Sequence, residues 1–156
     1  MILRNQKILT CDTVLSTGRL YPLKEVKNAV KNFRLEDNRI GGFIDSINEY
    51  YHTSESKNIR FCDISHIILK IWVNRKKEVM IDVEILDTPA GLILQQQVTS
   101  KEDDVIEFTP LGTGQLCLPI MCLNGNKPKY YVVTDYTIHA VCYKLVDNNL
   151  NYDIIK

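Results

Sequence analysis

Apolar side chains recur along the chain with two different periods, and the change from one to the other marks out its elements. Within LYPLKEVKNAVKNFRL, residues 20–35, Leu23, Val26, Val30 and Phe33 fall on one helical face. Lys24, Lys27 and Lys31 lie elsewhere, and Pro22 suits the first turn, so this stretch predicts a helix. HIILKIWV (66–73) and EVMIDVEIL (78–86) flank Asn74-Arg75-Lys76-Lys77. The second run alternates Val79, Ile81, Val83 and Ile85 against Met80, Asp82, Glu84 and Leu86, the period of a strand, and the pair predicts an antiparallel hairpin. Asp87 or Thr88 can cap, and Pro89 can start, a second helix through AGLILQQQV, with Leu92, Ile93 and Gln96 on a common side.

From Val105 onward the pattern is β-rich. DVIEFT, QLCLPIMCL, KYYVVT and YTIHAVCYKLV read as strands separated by glycine- or proline-bearing turns, GTG at 112–114 among them. RLEDNRIGGFIDSINEYYHTSESKNIR, residues 34–60, is polar with a weak pattern and reads as a surface excursion. The expected fold is α+β: a mainly antiparallel sheet or barrel decorated by two or so helices, in a single domain over residues 1–156.

Composition narrows the function classes. Nineteen Lys and Arg balance nineteen Asp and Glu, so no net field steers the molecule to nucleic acid or to an anionic membrane. The longest apolar stretch, ISHIILKIWV, is interrupted by His66 and Lys70, and MILRNQKILT is too short for a signal sequence, which predicts a soluble, unexported chain. Five cysteines, at 11, 62, 117, 122 and 142, sit on strand-like stretches and read as reduced thiols in or near a core. Cys117 and Cys122 have no second ligand pair at metal spacing, so no metal is expected, nor any cofactor or small-molecule substrate.

Three histidines are available as bases. His66 follows Ser65 in the first hairpin strand, where alternation sends neighbours to opposite faces and predicts no direct pairing. His52, near Ser54 and Ser56, reads as solvated loop, and Asp103, Asp104 and Glu107 as a charged turn. His139 lies in the late strand TIHAVCYKLV and reads as a sheet residue with a hydrogen bond.

Several stretches, taken in order, resemble the prohead maturation proteases of tailed bacteriophages, serine proteases of the same broad fold as the herpesvirus assemblins. GRLYPLKEVKNAVKNF is similar to the family's RxYP entry and following helix. IGGFIDS stands where the family carries Gly-Glu-Leu-x-His-Pro, the source of its catalytic histidine. SHIILKIWVNRKKEVMIDVEILDTPAGLIL resembles the hairpin, TPxG turn and next helix, and TIHAVCYKLV the late strand with Asp-Ala-Val. VIEFTPLGTGQL occupies the place of Ser-Ser-Arg-Gly-x-Gly, whose first serine is the nucleophile.

The resemblance, which runs from about Gly18 to Val146, puts Thr109 at the nucleophile, Pro110 at the next serine and Leu111 at the arginine. It puts Asp45 at the histidine and Ser46 at the proline. A hydroxyl needs an adjacent base to attack, and aspartate is a far weaker one than imidazole. What the resemblance then implies is a catalytically silent relative, an auxiliary or decoration protein of a phage head, made in the host cytoplasm and bound to the major capsid protein or another head protein. Tyr50 and Tyr51 are the candidate contact residues. Two alternatives remain: an active maturation endopeptidase with a displaced site, Thr109 with His139 or His66, and an adaptor or inhibitor acting on a host protein. His139 is the sharper candidate base, because assemblin-like proteases employ two histidines.

Overall fold

The computed structural model describes residues 1–44, 47, 60–100, 105–119 and 129–146. In chain order these form β1 (Ile2–Thr10), β2 (Arg19–Leu20), α1 (Leu23–Asn32), α2 (Leu35–Asn38), β3 (Ile40–Gly42), a 3-10 turn at Phe61–Asp63, β4 (Ile64–Val73), β5 (Glu78–Ile85), α3 (Pro89–Thr99), β6 (Val105–Cys117) and β7 (Tyr131–Val146). A four-stranded antiparallel sheet has the order β1-β5-β4-β3, and a three-stranded sheet the order β2-β7-β6, with β2 and β7 parallel. A parallel bridge between Phe43 and Tyr143 links the two. The architecture is α+β and mostly antiparallel, with three helices among the described elements.

The helix and hairpin patterns hold where they are strongest. In α1, Val26, Ala29 and Phe33 at its C-cap are buried, with Leu23 and Val30 packed beside them. Pro22 offers no cap, so Asp12 in the β1–β2 connection accepts from the Leu23 N–H at 2.9 Å. Val79, Ile81, Val83 and Ile85 of β5 are all buried. Asn74 builds the hairpin turn by accepting from the N–H groups of Lys76 and Glu78 at 2.9 and 3.0 Å. Thr88 is the cap of α3, accepting from Gly91 N–H at 3.0 Å while its own hydroxyl donates to the Ile64 carbonyl. The apolar face of α3, however, is Gly91, Leu94 and Val98; Leu92 and Ile93 point outward, half exposed.

Three features depart from the alternation rule. β1 reads poorly in sequence because two register shifts and a left-handed Asn5 (φ 55°) interrupt its alternation. The expected break at GTG is absent: β6 runs unbroken through Gly112 and Gly114. A Cβ at Gly112 would lie 2.6 Å from the Thr137 carbonyl and from the Tyr136 ring, and one at Gly114 would lie 2.9 Å from the Thr134 carbonyl, so both glycines permit close approach of β7. The expected turn between KYYVVT and YTIHAVCYKLV is a bulge at a left-handed Asp135 (φ 50°), and β7 continues through it. Within the 34–60 stretch, β3 pairs with β4 and Ile47 is fully buried, so its first part belongs to the core.

A candidate site on the outer face of β6 and β7

Pairing places Thr109 opposite Cys142 and Leu111 opposite Ala140, and directly opposed residues share a face. The intervening residues Phe108, Val141 and Tyr143 turn inward to the main core. On the outer face, Ile44 and Ile47 pack against Ala140, Cys142 and Leu111. The two segments that carry the resemblance to a base and a nucleophile, around 41–47 and 109–114, therefore meet on one surface. Asp45 and Ser46 lie outside the described residues, as do Tyr50, Tyr51, His52, Asp103, Asp104 and Cys122.

Among the described residues, the chemistry around Thr109 is quiet. Cys142, directly across, is buried, and burial pushes its thiol up to about 12, with a hydrogen bond from the Gly42 backbone offsetting only part of the effect. At neutral pH it is an uncharged thiol and no nucleophile. His139 does belong to this face but serves another residue. The register steps from Leu111–Ala140 to Gly112–Ile138 and passes over His139, the extra residue of a bulge. Its Nε2 lies 2.8 Å from Thr113 Oγ1 at the surface. Thr113 is four positions from Thr109, about 13 Å along a strand. Among the described residues no hydrogen bond joins Thr109 to a histidine.

His66 is found in the interior. Its Nε2 lies 3.0 Å from the Val141 carbonyl, which only accepts, so the proton sits on Nε2 and Nδ1 accepts from Ser65 Oγ at 2.8 Å. Ser65 and His66 thus do pair, contrary to the expectation from alternation. The register of β3 on β4 steps from Gly41–His66 to Gly42–Ile64, leaving Ser65 as a bulged residue and swinging its side chain towards its neighbour. Both side chains have zero exposure, and the imidazole meets Phe108 and Tyr143 edge-on at ring separations of 5.3 and 6.3 Å. Burial drives its pKa down to about 4 despite the bond to Val141, so it is neutral. His66 ties β4 to β7 across the core and is sealed from solvent.

Elsewhere, a groove of about 360 Å³ between α3 and the end of β7 is lined, among the described residues, by residues that include Phe43, Cys62, Asp63, Ile93, Tyr143 and Leu145, with no histidine, serine or threonine. Among the described residues, Cys11, Cys62, Cys117 and Cys142 are free thiols, and the expectation that they are buried holds for Cys11 and Cys142 but not for Cys62 and Cys117, which are exposed. No helix among them is long and apolar enough to cross a membrane.

The fold is one that a phage capsid protease also adopts. The solved structure of the bacteriophage T4 capsid assembly protease, gp21, superimposes with a TM-score of 0.62 over 92% of this chain and 89% of that one, at 15% sequence identity. No family model matches the chain, and no curated protein matches it.

Proposed function

We propose that this chain is a catalytically silent protein of a tailed-phage head, an auxiliary or decoration component that retains a prohead-protease-like fold and binds the major capsid protein or another head protein. It is made in the host cytoplasm and carried in the virion. The observation behind this reading is the environment of Thr109: the hydroxyl at the nucleophile's place faces a buried neutral thiol, and the two described imidazoles are held elsewhere. An alcohol without an adjacent base is a poor nucleophile near pH 7, and a threonine within the chain has no terminal amine to use instead. Quantitative mass spectrometry of purified particles tests the assignment. Copies in fixed proportion to the major capsid protein support it, and absence from particles transfers the chain to the class of adaptors acting on host proteins.

One observation favours a second reading. Thr113 and His139 form a surface hydroxyl–imidazole pair at 2.8 Å, the geometry a displaced nucleophile and base require. If that pair is activated, diisopropyl fluorophosphate will phosphorylate Thr113 in the wild type and fail to do so in His139→Ala. The silent reading expects no adduct in either.

A further inference from the structure

The edges of the two sheets are guarded unequally. β2 and β3 are short, with two and three residues. β1 carries Arg4 and Lys7, a left-handed Asn5 and two register shifts, all of which discourage pairing by a new strand. β6 carries a single charge, Glu107 near its start, which is paired with Lys144 of β7, and its C-terminal half carries none. Among the described residues no strand pairs with its far side, and Gly112 to Leu118 are exposed throughout. From Phe108 to Asn126 the chain contains no charged residue. Leu116 lies opposite the core residue Val133, and Leu118 and Tyr131 continue the same face, at 52%, 55% and 42% exposure.

We propose that the C-terminal half of β6 pairs antiparallel with the same strand of a second copy, joining two three-stranded sheets across a twofold axis. The missing charge is what selects this occupant. Around a twofold axis the residues close to the axis meet their own copies, so a charge there would face its like, which is destabilising. A neutral strand is compatible with its own copy, whereas an edge shaped for a different protein gains selectivity from charges that reject wrong partners. Leu116 and Leu118 would be covered by the same residues of the neighbour. The inference holds whether or not the chain is catalytically silent.

Sedimentation equilibrium of the full chain, in reducing buffer because Cys62 and Cys117 are exposed, tests it across a dilution series. Gln115, exposed on β6, is replaced by Lys in one variant and by Glu in another, with thermal melting to verify that each is folded. The wild type should form a dimer, each variant should self-associate roughly tenfold more weakly, and an equimolar mixture of the two should regain the dimer. A wild type that stays monomeric overturns the proposal. So does a dimer that both substitutions leave intact, or one that both abolish and mixing fails to restore.

Discussion

Two hydroxyl–imidazole pairs in this molecule have the same 2.8 Å separation and opposite surroundings. Ser65 and His66 are sealed between the sheets; Thr113 and His139 stand at the surface. In the first, burial removes the charge from the imidazole and leaves a neutral link whose two nitrogens are both satisfied. In the second, the contact lies at the surface, within reach of solvent. Geometry at the level of one hydrogen bond does not distinguish a staple from a reactive pair. Access to water does.

The sharpest way to break the sealed pair is through its neighbour. A Cβ at Gly41 would lie 2.2 Å from both His66 Nε2 and the Val141 carbonyl. Neither can retreat without parting the sheets, so Gly41→Ala should cost about 3 kcal/mol or more in urea unfolding. Acid should act next. The folded imidazole titrates near 4 and the unfolded one near 6.5. Unfolding therefore takes up a proton in that window: the stability from neutral His66 is complete above about pH 6.5 and is lost as pH falls towards 4. The loss approaches about 3 kcal/mol. A His66→Gln variant should lack this contribution when unfolding free energies are compared across the window. Ser65→Ala leaves Nδ1 buried and unsatisfied and should cost about 2 kcal/mol. At the open pair, Thr113→Ala should shift the unfolding free energy by less than about 0.5 kcal/mol. A large loss at Thr113 would erase the contrast.

The parts of the fold that were legible in sequence obey one uninterrupted period. β5 alternates without a shift over its buried residues, and α1 keeps its apolar stripe for three turns, so both could be read directly. The site was legible as a place and not as an arrangement. The resemblance located the segments around 41–47 and 109–114, and the packing of Ile44 and Ile47 on Leu111 brings those segments together. What escaped was every contact made by a bulge. Ser65 meets His66, and His139 turns to Thr113, because the register passes over one residue in each strand. No local residue pattern announces such a shift, since it is set by the partner strand. The glycines of GTG misled for a related reason: they signal close approach as readily as a turn, and only the position of β7 decides which.

In the proposed function, Thr109 and its surroundings do not cleave peptide bonds. Its most direct test is to incubate the purified protein with an unprocessed phage major capsid protein and follow both chains by intact-mass spectrometry. The masses should remain those of the full-length chains. Trimming of either by the wild-type protein, absent with Thr109→Ala or Thr113→Ala, would contradict it.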